Sequence, residues 1–267
     1  MKMKVYLVNL ERRPDRLQEM TEQLNSLGIE FERIDAVDGN HIKNSTDYFS
    51  PKRFFLENRR NYVPGEVGCA LSHINIWKKI VYENIDYALV LEDDVIITNK
   101  MTDFIDSTIY KNFDYLKIDF EISVDGALLI KHQSSKLPIR YNHPIPDKAT
   151  YKIFDIFSED TFTACECDPV PYYTGGYVIS RHGAERFLAI ATNMYYAIDL
   201  LPRYATDRVK QGFLISALAK HKEEDSDISG RIFNEKLTIS DKFLFVFHKI
   251  FNRRRLREIE FIYWAKK

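Results

Sequence analysis

Tyr87-Ala88-Leu89-Val90-Leu91-Glu92-Asp93-Asp94-Val95-Ile96-Ile97-Thr98 decides how this chain folds. Bounded by polar segments, its apolar residues read as a buried strand. Three consecutive acids interrupt it. Buried carboxylates are costly unless they are paired or bind a metal. A divalent cation that in turn holds a phosphorylated ligand accounts for them. Side chains alternate along a strand, so Glu92 and Asp94 share one face and Asp93 takes the other. Glu92 and Asp94 could then grip a hard cation such as Mg²⁺ or Mn²⁺ through oxygen ligands. If the chain has already turned at Asp94, Asp93 and Asp94 converge instead. A solvated strand end carrying three surface acids is the plain alternative.

Working outward, Val5–Leu10 reads as an N-terminal strand, followed by a basic turn at Arg12–Arg16. Leu17, Met20, Leu24 and Leu27 predict a helix over Asp15–Leu27, stopped by Gly28. Ile29–Ile34 is the next strand, and strand–helix–strand implies a right-handed crossover in a parallel sheet. Residues 40–64, polar with aromatic interruptions, read as a surface excursion. A helix starts near Pro64-Gly65-Glu66 and carries Ile74 and Trp77 as core. Beyond the acidic strand come a helix at Phe104-Ile105 and a strand at Tyr115–Ile118. Further strands are expected at Leu128–Lys131 and Ile153–Phe157, around a proline-containing loop at Leu137–Asp147. A strand at Thr174–Ser180 follows, then helices at Gly183–Thr192 and from Ala197–Ala205. Ligands of such α/β sheets collect beyond the carboxyl ends of the strands.

The 267 residues suit one large α/β domain, 1–230, with an extension, 231–267. The net charge of −1 gives no global field for nucleic acid. The extension holds ten Lys/Arg against four Asp/Glu (+6), leaving 28 against 35 (−7) in the body. Within it, Lys249, Arg253, Arg254, Arg255 and Arg257 alternate with Ile250, Phe251, Leu256, Ile259, Phe261 and Trp264. Phe243–Trp264 is therefore expected as a basic amphipathic helix or helix pair. It could lie on an anionic membrane surface, pack on its own domain, or hold a homodimer. Three cysteines without framework spacing favour a reducing compartment. The apolar N-terminal stretch is too short for a signal peptide, and no segment approaches the roughly 20 apolar residues of a membrane span.

Four motifs occur in order. They are Val8-Asn9-Leu10-Glu11-Arg12-Arg13-Pro14-Asp15-Arg16, Gly65-Glu66-Val67-Gly68-Cys69-Ala70-Leu71-Ser72-His73, Leu91-Glu92-Asp93-Asp94, and Thr174-Gly175-Gly176-Tyr177-Val178-Ile179-Ser180. Together they resemble glycosyltransferase family 25, the bacterial lipooligosaccharide galactosyl- and glucosyltransferases, over nearly all of residues 4–230. The resemblance implies a GT-A type nucleotide-sugar-binding fold with a mainly parallel sheet flanked by helices. It also implies a UDP-sugar donor, a lipooligosaccharide acceptor, a divalent metal (Mn²⁺ or Mg²⁺) and an inverting transfer that leaves a β-linkage. Glu92-Asp93-Asp94 takes the place of the family's acidic motif, with Asp94 as metal ligand and Glu92 or Asp93 on the ribose or a metal-bound water. Asn9, Arg13 and Arg16 would line the uridine and phosphate side, since Arg offers a planar fork for phosphate.

Ser72 and His73 fall early in their helix, within reach of the donor if the helix start faces the cleft; otherwise His73 is a buried histidine pinning that helix. Gly175 and Gly176 either let the backbone approach the sugar or make a tight turn. The acceptor hydroxyl needs a base. Asp199, a lone acid in Ala197-Ile198-Asp199-Leu200 at the position of a family Val-Asp-Leu-like segment, is the first candidate; Asp119 and Glu121 follow, and a helix N-cap is the alternative for Asp199. His221 is a candidate further metal ligand, although relatives tend to carry Gln there after a Pro that this chain lacks. Ser226-Asp227-Ile228 is also family-like and would close over the donor. A lipooligosaccharide acceptor would put the protein in the cytoplasm, peripheral at the inner membrane. Two other functions compete: a non-catalytic carbohydrate-binding or scaffold member of the same fold, and a nucleotidyltransferase. The latter would need a Gly-rich phosphate loop, and Leu10–Arg16 contains no glycine.

Overall fold

The computed structural model describes residues 3–58, 60–120, 136–139, 149–168, 170–205, 209–222 and Ile228, together with 238–240, 242–244 and 246–247. Among these residues the core is a nine-stranded sheet, ordered β2-β1-β3-β9-β5-β10-β8-β7-β6. Its strands are β1 (Lys4–Asn9), β2 (Glu32–Asp35), β3 (Tyr87–Glu92), β5 (Tyr115–Lys117), β6 (Lys136–Ile139), β7 (Ala149–Glu159), β8 (Phe162–Asp168), β9 (Gly176–Ser180) and β10 (Gln211–Leu214). β4 (Val95–Ile97) and β11 (Ala219–His221) form a separate antiparallel pair. In the large sheet β1, β2, β3, β5, β7 and β10 run one way, and β6, β8 and β9 the other. The expected α/β architecture is present, with a mixed sheet in which one direction dominates.

Strand alternation sorts the core into two layers. Tyr6, Val8, Ala88, Val90, Tyr177 and Phe213 face one side, packed with Trp77 and Ile80 of α3 (Pro64–Tyr82) and Phe187 of α5 (Arg181–Ile190). Val5, Leu7, Leu89, Leu91, Val178 and Leu214 face the other, against Met20 and Leu24 of α1 (Pro14–Ser26) and Phe104 of α4 (Met101–Asp106). α1 begins on Pro14, and Gly28 ends it at φ +63° as Ile29 N–H bonds back to Leu24 C=O. That is a Schellman closure, which the left-handed conformation of glycine permits.

The stretch 40–64 departs from expectation. It contains α2 (Pro51–Asn58), and Phe49 and Phe54 are fully buried beside Tyr62. Its aromatic residues are core rather than interruptions of a surface loop. Leu137 and Pro138, expected in a loop, lie in β6 and pair with β7. Ala197–Ala205 leads into a 3₁₀ helix, Ile198–Tyr204. The expected strand at Leu128–Lys131 and most of the C-terminal extension lie outside the described residues. Within the extension, residues 239–240, 242–244 and 246–247 are helical, and Ile239, Phe243, Leu244, Val246 and Phe247 are exposed.

Candidate active site

The carboxyl ends of β1, β3 and β5 meet the start of β9 and the end of β11. β3 stops at Glu92, and Asp93 and Asp94 form the turn into β4. Alternation therefore ends at Glu92, whose side chain parts from those of Asp93 and Asp94.

Glu92 follows Ala88 and Val90 onto the α3 side. Its Oε1 accepts from Thr174 Oγ1 at 2.5 Å and meets His73 Nε2 at 2.9 Å. His73 Nδ1 lies 2.8 Å from the Tyr177 hydroxyl, which accepts from Trp77 Nε1 at 3.1 Å. An ionised carboxylate only accepts, so His73 donates from Nε2 to Glu92, and its Nδ1 is held by the Tyr177 hydroxyl. Burial pushes the Glu92 carboxyl up, but the His73 bond and charge, then Thr174 and His221, outweigh it and hold it below its ordinary value. Cys69 Sγ lies 4.0 Å from Glu92 Oε1, and Cys69, His73 and Glu92 could converge on a metal. A cation there would have to break the His73–Glu92 bond and remove the Nε2 proton.

Asp93 and Asp94 converge on Arg16, the second of the two facings open at the sequence level. Arg16 NH1 is 3.5 Å from Asp93 Oδ1 and 3.9 Å from Asp94 Oδ2. Asn9 Nδ2 donates to Asp93 Oδ2 at 2.6 Å and to the Arg13 carbonyl at 2.9 Å. The Arg13 side chain forks onto Asp15 at the surface instead. Burial raises the Asp93 carboxyl, opposed by Asn9 and Arg16. Asp94 is pushed up to about 6, by burial first and then by the charge of Glu92.

Asp94 has a second neighbour. β11 pairs His221 with Val95, the residue after Asp94, and Lys222 N–H bonds the Asp94 carbonyl. His221 Nδ1 is 3.8 Å from Asp94 Oδ1, and Nε2 is 3.6 Å from Asp119 Oδ2, an ion-pair distance too long for a hydrogen bond. Burial pulls the imidazole down, but Asp119, Asp94 and Glu92 prevail and raise it. Asp119 is itself fixed by Lys117 at 2.8 Å, with both side chains fully buried, and by Gly176 N–H at 3.1 Å. Burial raises its carboxyl; Lys117 and His221 overcome that and lower it.

Asp94 Oδ1 and His221 Nε2 are buried and hydrogen-bond to nothing among the described residues. A carboxylate oxygen and an imidazole nitrogen facing each other, with the other ring nitrogen turned to a carboxylate, match the donor set of a divalent cation. Asp94 and His221 therefore fit a metal, whereas Glu92, expected beside Asp94, commits its Oε1 to His73 and Thr174.

Ser72, His73, the two glycines and Asp199 take the following places. Ser72 is buried, donating to the Gly68 carbonyl and accepting Val37 N–H, both at 2.8 Å, so it ties α3 to the segment after β2 rather than facing a donor. His73 is the buried histidine pinning its helix, and it also orients Glu92. A Cβ on Gly175 would lie 2.5 Å from His221 Cε1, and one on Gly176 3.1 Å from Ala219 Cβ and from Ile118 Cγ1. Both glycines thus make room for protein neighbours. Asp199 is not the N-cap, which is Ala197; its Oδ2 accepts Tyr173 N–H at 3.3 Å. Ile228 packs on Gly65, while Glu121, Ser226 and Asp227 lie outside the described residues. Lys117 escaped the sequence reading, although Lys117-Ile118-Asp119 places opposite charges two apart beside a buried strand.

A family model described as glycosyltransferase family 25 (LPS biosynthesis protein) matches residues 2–202. The chain belongs to glycosyltransferase family 25. This matched range contains every acid of the site, and His221 lies beyond it. The chain is 26% identical over 193 residues to human procollagen galactosyltransferase 2, covering 69% of this chain and 27% of that protein. It is 38% identical over 96 residues to a glycosyltransferase 25 family member of Anopheles gambiae, covering 34% and 16%. The chain thus spans about a quarter or less of the length of these relatives. The solved structure of A197 from STIV aligns at TM-score 0.41 and 12% identity, over 88% of this chain and 97% of that one.

Proposed function

We propose that this glycosyltransferase is metal-dependent and inverting, and moves galactose or glucose from a UDP-sugar to a lipooligosaccharide core saccharide. The observation that carries the metal is Asp94 Oδ1, buried without a hydrogen-bond partner among the described residues and facing His221 Nδ1. Asp94 and His221 would hold Mn²⁺ or Mg²⁺, which supplies Lewis-acid neutralisation of the diphosphate. Asp119 and Lys117 set the His221 ring. Arg16 limits repulsion between Asp93 and Asp94, and Asn9 fixes Asp93 toward the nucleotide. Glu92, kept ionised by His73 and Thr174, is an acceptor for donor hydroxyls. Asp199 is the base that takes the acceptor proton.

The family description supports a lipopolysaccharide-type acceptor, and the relatives' names support galactose. The exposed apolar residues at 239–247 and the +6 charge of 231–267 support peripheral contact with an anionic membrane. No helix of the described residues is long and apolar enough to cross one. The test is transfer from UDP-galactose and UDP-glucose to truncated lipooligosaccharide and to a collagen peptide, with Mn²⁺ or EDTA. Transfer to the saccharide, lost with EDTA and in Asp94→Ala, is expected. Transfer indifferent to both would remove the metal, transfer to the peptide alone would replace the acceptor, and glycan binding without transfer would favour a scaffold.

A further inference from the structure

Tyr173 is a side chain of this site to which the proposed chemistry gives no task. Its φ is +75°, in the left-handed region that bulky residues avoid and glycine accepts readily. The chain places glycine two and three residues later, at Gly175 and Gly176, yet keeps an aromatic here. The conformation is clamped at both ends: Tyr173 N–H donates to Asp199 Oδ2, and its carbonyl accepts from Lys117 Nζ. Backbone strain of this kind persists where the surroundings over-determine it, and it clusters at functional sites. Core packing does not account for the ring, which is half-buried, unlike the neighbouring fully buried Tyr177. Its centroid lies 4.9 Å from the His221 ring, at 47°.

Tyr173 therefore sits between two parts of the site. Its ring adjoins the metal-side histidine, and its backbone rests on the candidate base. A hexose transferred from a metal-held diphosphate to a base-activated hydroxyl must pass between those groups. Aromatic rings receive the apolar C–H face of a pyranose by burial and dispersion. We infer that Tyr173 is a donor-positioning residue, its strained backbone presenting the ring as a platform for the hexosyl group. This rests on the UDP-sugar function proposed above.

The experiment compares Mn²⁺-dependent binding of UDP, UDP-galactose and UDP-glucose by calorimetry in wild type, Tyr173→Phe, Tyr173→Ala and Tyr173→Gly. The Ala and Gly variants should bind a UDP-hexose about tenfold more weakly while UDP stays within about twofold, and Phe should match wild type. The Gly variant, relieved of strain, should melt about 2 °C or more above the Ala variant, and it carries the measurement should Ala prove unstable. Equal losses for UDP and UDP-hexose would make the ring a mere prop for His221 and overturn the inference. So would unchanged donor binding, or an effect confined to the acceptor KM. Wild type binding neither UDP nor a UDP-hexose would instead remove the underlying function, and this inference with it.

Discussion

Gly175→Ala is the sharpest test of how the site is built. The added methyl would lie 2.5 Å from His221 Cε1, 2.6 Å from Nε2 and 3.0 Å from Val95 Cγ1. Ordinary contact begins at 3.4 Å, so the ring must retreat by about 0.9 Å, the difference between 3.4 and 2.5 Å. Metal ligation tolerates only about 0.2 Å. His221 would lose its setting against both Asp94 and Asp119, and Mn²⁺ affinity should fall about 10–100-fold, the scale for disturbing a ligand's support. Overpacking should also cost about 1–3 kcal/mol of stability, lowering Tm by about 2–4 °C per kcal/mol. Gly176→Ala is the control, because its methyl is crowded only by Ala219 Cβ and Ile118 Cγ1 at 3.1 Å, meets Asp119 Cβ at an ordinary 3.5 Å, and reaches neither Asp94 nor His221 among its nearest atoms. It should lose stability and keep metal affinity. Mn²⁺ titration by electron paramagnetic resonance, beside thermal melts, reads both quantities. A destabilised Gly175→Ala protein that binds Mn²⁺ as wild type does would refute the assignment of His221.

Asp94, pushed up to about 6, holds its proton more tightly folded than unfolded. Without metal, its contribution to stability is fully present below its ordinary value of 3.8 and is lost as pH rises through about 6. Urea titrations of metal-free wild type minus Asp94→Asn should show that slope, and Mn²⁺ affinity should drop as pH falls through the same range; a pH-independent difference would contradict the burial of Asp94. Lys117→Met takes the buried ammonium away from the Asp119 carboxylate, leaving it only the Gly176 N–H and His221, 3.6 Å away, and should cost about 3–5 kcal/mol by urea unfolding. Adding Asp119→Asn should restore much of that loss, and additive losses would show that the two side chains act independently. Asp199→Asn should keep UDP-sugar affinity while transfer falls about 10²-fold or more; near-normal turnover would exclude Asp199 as the base.

The layers of the fold were legible because they rest on local rules. The near-continuous apolar runs Val5–Leu10 and Tyr87–Leu91 mark a sheet covered on both faces, and Leu17, Met20 and Leu24 mark the helix covering one of them. Residues 40–64 were not legible, since Phe49 and Phe54 are buried by contacts to distant parts of the chain, including Ser50 N–H to the Met194 carbonyl. In the site, Asp93, Asp94, Asn9 and Arg16 stood out as polar groups next to buried strands. The placement of Ser72, Gly175 and Lys117 depended on partners far along the chain, Lys117 in particular on Tyr173.

By itself the sequence determined that three acids end a buried strand, that their place is the carboxyl edge of an α/β sheet, and that the four ordered motifs belong to one family. These follow from periodicity, from the cost of burying charge, and from residue order. Only the tertiary structure decided what each acid faces. The chain turns at Asp93, so Glu92 goes to His73 and Thr174, Asp93 to Asn9 and Arg16, and Asp94 to a histidine 127 residues later, from Asp94 to His221. Strand alternation is a local property of the backbone, whereas a turn's direction and the pairing of β11 with β4 are set by packing of the whole chain.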